Sequence, residues 1–156
     1  MISRRNMVAG LLATTAMLSA IDAECQEQNE KGILGPSVFR WDQLQFHKTA
    51  TGEMAQVCKQ PTATVDQLEI HVSKLNPGMA SHKPHRHVNE ELIILRVGDC
   101  ETLSDGKWIR VGPGDVVFNA SNSLHGFRNV GTTVAEYHVI NWSPNKEMRG
   151  GYQTSG

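Results

Sequence analysis

Turn-forming residues interrupt this chain at short, regular intervals, and this pattern limits what the chain can fold into. The tripeptides NPG (76–78), SDG (104–106), GPG (112–114) and NVG (129–131) all have turn chemistry. Asp105-Gly106 in particular favours a two-residue hairpin turn. Beyond residue 23, no stretch shows the sustained 3.6-residue apolar period of an amphipathic helix. The pattern therefore predicts an all-β fold, either a barrel or a sandwich.

Short runs rich in β-branched and aromatic residues lie between these turns and are typical of strands. The candidate strands are SVFRW (37–41), MAQVC (54–58), DQLEIHVSKL (66–75), ELIILRV (91–97), WIRV (108–111), DVVFNA (115–120), HGFRNV (125–130) and TVAEYHVI (133–140). The whole chain, at 156 residues, has the length of one domain. We therefore expect one β-domain at 37–145, after a flexible linker at 24–36 and before a C-terminal tail at 146–156.

One predicted strand is apolar on both of its faces. Residues 92–95 are Leu-Ile-Ile-Leu, whereas a strand with one solvated face alternates apolar and polar side chains. Something must therefore cover the second face of this strand. A second copy of the chain would do so, which predicts a homodimer. The alternative cover is the segment SVFRWDQL (37–44).

The N-terminus has the pattern of an export signal. Arg4 and Arg5 precede the 14 residues at 7–20, none of which is charged, and a bilayer crossing needs about 20. A basic head, a short apolar run and small residues after it predict a signal peptide at 1–23, cleaved after Ala23 or, alternatively, after Ala20. The stretch SRRNMV resembles the twin-arginine signal, which implies a periplasmic or extracellular protein without a membrane span after cleavage. An uncleaved membrane anchor is the alternative.

The charge balance gives no reason to expect a nucleic-acid partner. The chain has 15 basic and 16 acidic residues, for a formal net charge of −1. No basic stretch with interleaved aromatic residues is present. We therefore expect no nucleic-acid binding.

The three cysteines do not form a recognisable metal or redox motif. Cys25, Cys58 and Cys100 are widely and irregularly spaced, without a C-x-x-C pair. An odd number leaves at least one unpaired or pairing between chains. We expect Cys58 and Cys100 to be buried as small apolar residues.

Histidines and glutamates concentrate in the stretch SHKPHRHVNEE (81–91). Residues two apart in a strand point to the same side, so His85 and His87 project together, and Glu91 has the same parity. His125 begins another predicted strand. Three imidazoles and one carboxylate suit divalent iron, manganese, nickel, zinc or copper. On spacing alone, a solvated histidine-rich loop is the alternative.

Two motifs here resemble those of the cupin superfamily, which are usually written G-x5-H-x-H-x3,4-E-x6-G and G-x5-P-x-G-x2-H-x3-N. His85, His87, Glu91 and Gly98 match the first motif at the family's spacing. The departure is at its start, where six residues rather than five separate Gly78 from His85.

The second motif is matched at its end and departs from the family in its middle. His125 and Asn129 fall at the expected distances from Gly114, but Ala120 replaces the family's proline and Asn122 its glycine. Asparagine is one of the few residues that tolerate a left-handed backbone, so it is compatible with the turn. The alanine makes the turn less rigid without affecting the histidine. The resemblance covers about residues 65–140, roughly half of the chain.

The resemblance implies a double-stranded β-helix, or jelly-roll, barrel with His85, His87, Glu91 and His125 as ligands of one divalent metal. It further implies a barrel pocket for a small-molecule substrate or ligand. We expect a metal-dependent enzyme, oxygenase-like in its chemistry, although lyases and isomerases share the fold. The alternative is a non-catalytic module that binds a metal or a small ligand.

The expected metal follows from the export route. By affinity alone, such a site prefers copper to iron or manganese. Twin-arginine export carries proteins that have already folded, so the site would close on a metal of the cytoplasm, where copper and zinc are scarce. We therefore predict iron or manganese, with zinc, nickel and copper as alternatives.

Several other polar residues are weaker candidates. His71 and Tyr137 are possible acids or bases, although no catalytic residue is assigned. His71 and His138 could line the pocket or lie on a surface or interface. We expect His82 to be a solvated loop residue and Asn129 to form structural hydrogen bonds.

Overall fold

The regular secondary structure of the described residues is almost entirely β-strand. The computed structural model describes residues 32–144, and its strands lie in the compact unit that begins at Phe39. Residues 32–38 contain no helix or strand. The elements are a 3-10 turn at Trp41–Gln43 and the strands β1 (His47–Lys48), β2 (Gly52–Gln60), β3 (Val65–Leu75), β4 (Glu90–Val97), β5 (Cys100–Ser104), β6 (Lys107–Val111), β7 (Val116–Asn119), β8 (Gly126–Asn129) and β9 (Ala135–Pro144).

The strands form two antiparallel sheets. The larger sheet has the order β1-β2-β3-β9-β4-β7, and the smaller has the order β6-β5-β8. The last strand, β9, lies between β3 and β4, so strands far apart in sequence become neighbours. This arrangement confirms the predicted all-β, jelly-roll barrel. The predicted signal peptide, the C-terminal tail and Cys25 lie outside the described residues.

Alternating side chains from both sheets form the core. The buried cluster consists of Leu75, Ile93, Leu95, Cys100, Val117, Phe127, Ala135, Tyr137 and Val139. Fully burying a large apolar side chain stabilises a fold by roughly 1.5–3 kcal/mol. Cys58 and Cys100 are both buried as free thiols, as predicted. Among residues 32–144, no helix has the length and apolar character that a membrane crossing requires.

The turn between β5 and β6 is the hairpin that the sequence predicted. Asp105 and Gly106 connect the paired residues Ser104 and Lys107. Their φ angles are 47° and 74°, so both have the positive φ that a type I′ turn requires. Asp and Gly are among the few residues that adopt this conformation readily, which explains why the local sequence was sufficient here.

The N-terminal part of the barrel unit runs across the outer face of the large sheet. Trp41 lies with its ring 4.0 Å from the Arg96 guanidinium carbon and 6.1 Å from the His138 ring. The prediction of a strand at 37–41 was wrong, because Trp41 contacts side chains on the sheet surface and begins a 3-10 turn. This segment provides part of the cover expected for the outer face.

Another part of that outer face remains exposed. Ile93 and Leu95 point into the core, while Leu92 on the opposite face of β4 is half-buried. Next to Leu92 on β7 lies Phe118, which is 54% exposed, and Val116 on the same strand is 60% exposed. The apolar character of residues 92–95 on both faces is therefore only partly explained by contacts within one chain.

Candidate metal centre

Two chain segments that are distant in sequence meet at the histidines. The His85 N–H donates to the His125 carbonyl oxygen at 3.0 Å, and the His125 N–H donates back at 3.1 Å. The Asn122 N–H donates to the His87 carbonyl oxygen at 2.8 Å. Asn122 has a φ of 58°, the left-handed conformation predicted for it. These hydrogen bonds hold the two histidine-bearing segments in a fixed register.

The backbone that carries the first motif differs from the sequence prediction. The parity argument assumed one extended strand from His85 to Glu91, but β4 begins only at Glu90. His85 forms an isolated bridge, and the chain bends at residues 88 and 89 before the strand starts. The bend does not separate the side chains, because the hydrogen bonds to the second segment orient the two histidines.

All three rings contact the backbone through the same nitrogen, Nδ1. Each directs Nδ1 at the backbone carbonyl oxygen of a residue two positions away, and these contacts are His85 to Lys83 (3.2 Å), His87 to Asn89 (2.9 Å) and His125 to Ser123 (2.9 Å). A carbonyl oxygen only accepts hydrogen bonds, so Nδ1 carries the proton and Nε2 keeps a free lone pair. One ligand nitrogen from each ring lies within 4.8 Å of the other two.

Glu91 extends the histidine cluster with a carboxylate. Its Oε2 lies 3.8 Å from His87 Nε2, and its Oε1 lies 4.0 Å from His125 Nε2. Asn119, which the sequence analysis did not identify, donates from Nδ2 to Glu91 Oε1 at 2.9 Å. Asn119 is only 5% exposed, because β7 pairs with β4 and turns this side chain inward. All four predicted ligands therefore converge.

The burial of His125 makes this cluster suitable for a cation. Its Nε2 is fully buried and has no hydrogen-bond partner among residues 32–144. Burial lowers the pKa of His125, while the Ser123 carbonyl and Glu91 act in the opposite direction. The ring is therefore neutral near pH 7, the form that binds a metal. A buried nitrogen without a partner is unfavourable, and a metal ion would satisfy it.

His85, Glu91 and His125 line a cavity of about 510 Å³. Its apolar lining comes from both sheets and includes Leu75, Ile93, Phe127 and Val139. The polar part of the lining includes Thr49, Thr51, Glu53, Glu69, His71, Ser73, Ser81, His82 and Tyr137. The volume is that of a site for a small molecule.

Two weaker sequence candidates also line this cavity. His71 faces it from β3, and Tyr137 faces it from β9. Burial raises the pKa of Tyr137 to about 12. Hydrogen bonds with Ser73 and Ser81 act in the opposite direction but have the smaller effect. The Tyr137 phenol is therefore protonated at neutral pH and available as a hydrogen-bond donor.

The remaining candidates have different positions. His138 lies on the outer face, where it contacts Trp41 rather than the cavity. His82 is exposed in a loop, as predicted, but its ring lies 5.5 Å from the His85 ring at the cavity wall. Asn129 donates to the carbonyl oxygens of Leu75 and Thr133 from the interior, which confirms its structural role.

Comparison with known families agrees with the fold. A family model described as Cupin domain (Cupin_2) matches residues 71–141, a range that includes all four converging side chains. The chain is therefore similar to this family over slightly less than half of its length. No curated protein sequence matches the chain.

Several solved structures have the same fold at low sequence identity. KdgF from Halomonas sp. is 18% identical, with a TM-score of 0.59, and the match covers 72% of this chain and 99% of that one. A predicted oxalate decarboxylase from Thermotoga maritima is 20% identical, with a TM-score of 0.56, and the match covers 69% of this chain and 99% of that one. The polyketide cyclase RemF from Streptomyces resistomycificus is 15% identical, with a TM-score of 0.54, and the match covers 70% of this chain and 80% of that one. Because these structures are at most 20% identical to the chain, the likeness identifies the fold and not the reaction.

Proposed function

We propose that this protein is a metal-dependent enzyme that acts on a small molecule in the barrel cavity. His85, His87, Glu91 and His125 would hold one divalent transition metal. The observation that carries the proposal is that the Nδ1 atoms of all three rings face backbone carbonyl oxygens. This arrangement leaves three Nε2 atoms and a carboxylate as ligands. In metal sites, the ring nitrogen that does not bind the metal typically donates a hydrogen bond in this way.

The bound metal would supply a Lewis acid or an oxygen-binding centre at the cavity wall. The four side chains would place that metal beside the cavity, where it would act on a bound small molecule. Apolar side chains form part of the cavity lining, and the hydroxyl groups of Ser73, Ser81 and Tyr137 can orient a polar ligand. Oxygen uptake by the loaded protein with candidate substrates tests the oxygenase-like reaction. A protein that binds metal and ligand without turnover would support the alternative of a non-catalytic module.

The ligand set is tested by metal analysis of purified variants. Wild-type protein should contain about one metal ion per chain, and His87→Ala and His125→Ala should lose it, because each removes a strong donor. His47→Ala is the matched control, since His47 is exposed on β1. Stoichiometric metal in a protein that carries both the His87 and His125 substitutions would refute the assignment.

We also propose that the protein is exported after folding and carries iron or manganese. The support is the sequence of residues 1–23, with Arg4 and Arg5 before the apolar run. Exchanging Arg4 and Arg5 for Lys should retain the protein inside the cell with the same metal. Rerouting it through an export signal for unfolded chains should shift the metal toward copper or zinc. The same metal in native and rerouted protein would contradict the role of the export route.

A homodimer is the proposed cover for the exposed part of the outer face. Phe118 stacks on Trp142 at a centroid distance of 6.4 Å, and Leu92 on β4 is paired with Phe118. With Val116, these side chains form a continuous apolar surface on three neighbouring strands, β7, β4 and β9. Such a surface on a folded protein is typical of an interface between subunits.

A further inference from the structure

A row of polar side chains on β3 faces the cavity and has no role in the proposed ligand set. Glu69, His71 and Ser73 alternate along this strand and all line the cavity. Alternation places them on one face of the sheet. Polar residues on the inner face of a barrel are unfavourable unless they are paired or functional. Glu69 forms an ion pair with Lys59, so His71 is the residue of this row whose role remains to be explained.

The ring of His71 is held between a carboxylate and the cavity. Its Nδ1 is fully buried, has no hydrogen-bond partner in the described part of the chain, and lies 3.7 Å from Glu69 Oε1. The other Glu69 oxygen, Oε2, is 2.8 Å from the Lys59 Nζ, which is half exposed. The carboxylate thus favours a proton on Nδ1. The remaining nitrogen of His71, Nε2, is left for a molecule in the cavity.

The register of the large sheet sets the separation between this row and the ligand cluster. His71 on β3 is paired with Val139 on β9, which is paired in turn with Ile93 on β4. Glu69 and Glu91 are related in the same way through one residue of β9. Two strand spacings amount to about 10 Å. A molecule of a few heavy atoms fits between the proposed metal ligands and His71.

We propose that His71 is a general base that removes a proton from a carbon next to a carbonyl group of the bound molecule. The substrate class is a small carbonyl compound whose carbonyl oxygen faces the histidine cluster. This inference rests on the proposed function, and it identifies the reaction class as proton transfer, as in an isomerisation. Glu69 is a positioning residue that stabilises the protonated His71 ring.

The proton transfer is balanced without a further reactant. His71 Nε2 takes the proton, the C–H electron pair becomes a carbon–carbon double bond, and the carbonyl π pair moves to oxygen. The resulting enolate then recovers a proton from the His71 imidazolium. Return to the same carbon regenerates the starting compound, and return at a different position gives an isomer. No oxidant or reductant is consumed.

The surroundings of His71 are compatible with a base at neutral pH. Burial lowers the pKa of His71, and the positive charges of Lys59 and, when protonated, His82 act in the same direction. Glu69 and Glu91 act in the opposite direction. The His71 ring is therefore unprotonated before the reaction, as a general base must be.

The first test is isotope exchange with pyruvate as the probe. Metal-loaded protein is incubated with pyruvate in D2O without oxygen, and mass spectrometry follows deuterium incorporation into the methyl group. Wild-type protein should exchange faster than the free metal ion at equal concentration. His71→Ala should lose about 100-fold or more of that rate, the usual contribution of a general base, with unchanged metal content. His47→Ala is the matched control and should exchange at the wild-type rate.

Two further measurements separate a chemical role from a structural one. Added imidazole should restore part of the exchange in His71→Ala, and Glu69→Gln should slow the exchange without loss of metal. Oxalate, which resembles the enolate of pyruvate, should bind wild-type protein with uptake of a proton. His71→Gln should bind oxalate without that uptake, as measured by calorimetry in two buffers of different ionisation enthalpy.

The outcomes distinguish this inference from the proposed function. Wild-type protein that binds no metal would refute the proposed function and this inference with it. Protein that binds metal but exchanges pyruvate no faster than the free ion would overturn this inference alone. An exchange rate in both His71→Ala and His71→Gln within twofold of wild type would do the same.

Discussion

Asn119 should control the metal affinity of the site through Glu91, although it is not itself a proposed ligand. Its Nδ2 donates to Glu91 Oε1 at 2.9 Å in a buried position. A hydrogen bond to a charged group contributes about 1.5–3 kcal/mol. The loss of a residue that hydrogen-bonds to a metal ligand usually lowers metal affinity about 10–100-fold. This corresponds to about 1.4–2.8 kcal/mol. We therefore expect Asn119→Ala to weaken metal binding by roughly one to two orders of magnitude, as is usual for residues that hydrogen-bond to a metal ligand.

The assay is a competition titration of the metal-free protein with a chelator of known affinity. Asn119→Asp keeps the side-chain volume but places a second carboxylate beside Glu91, and it should weaken binding as well. Asn76→Ala is the matched control, because Asn76 is exposed in the turn after β3. Thermal unfolding of each metal-free variant verifies that the barrel still folds.

A double-mutant cycle with Glu91→Gln separates the direct from the indirect effect. If Asn119 acts by orienting the Glu91 carboxylate, its substitution should have little further effect once that carboxylate is absent. An equal loss of affinity from Asn119→Ala in the wild-type and Glu91→Gln proteins would refute this reasoning. Unchanged affinity in Asn119→Ala alone would refute it too.

Two further predictions concern stability and assembly. Burial lowers the pKa values of His71, His125 and His138 below the ordinary 6.5, so the unfolded chain binds more protons than the folded one in acid. The free energy of unfolding of the metal-free protein should therefore fall as the pH decreases below about 6.5. Urea unfolding at about pH 7.5 and about pH 5.5 measures this free energy, and equal values at the two pH values would contradict the prediction. Wild-type protein should scatter light as a dimer at micromolar concentration and Phe118→Asp as a monomer, whereas a monomeric wild type would refute the proposed interface.

Local sequence determined the turns, most of the strands and the spacing of the three clustered histidines. Asp105-Gly106 and Asn122 are informative because few residues adopt a positive φ, so the residue type specifies the backbone there. The apolar runs specify strands for a similar local reason. The strand at 100–104 was missed, because CETLS is polar in composition and is a strand only by pairing with β6 and β8 on its two sides.

The tertiary structure decided which polar residues surround the candidate site. Alternation in the sequence shows that Glu69, His71 and Ser73 share a face, but not whether that face is the cavity or the solvent. The position of β9 between β3 and β4 decides this, and it brings together strands that are far apart in the chain. The contact of Asn119 with Glu91 depends in the same way on the pairing of β7 with β4. Neither contact has a sequence signal, because side-chain contacts across a sheet depend on strand order and register, which only the folded barrel sets.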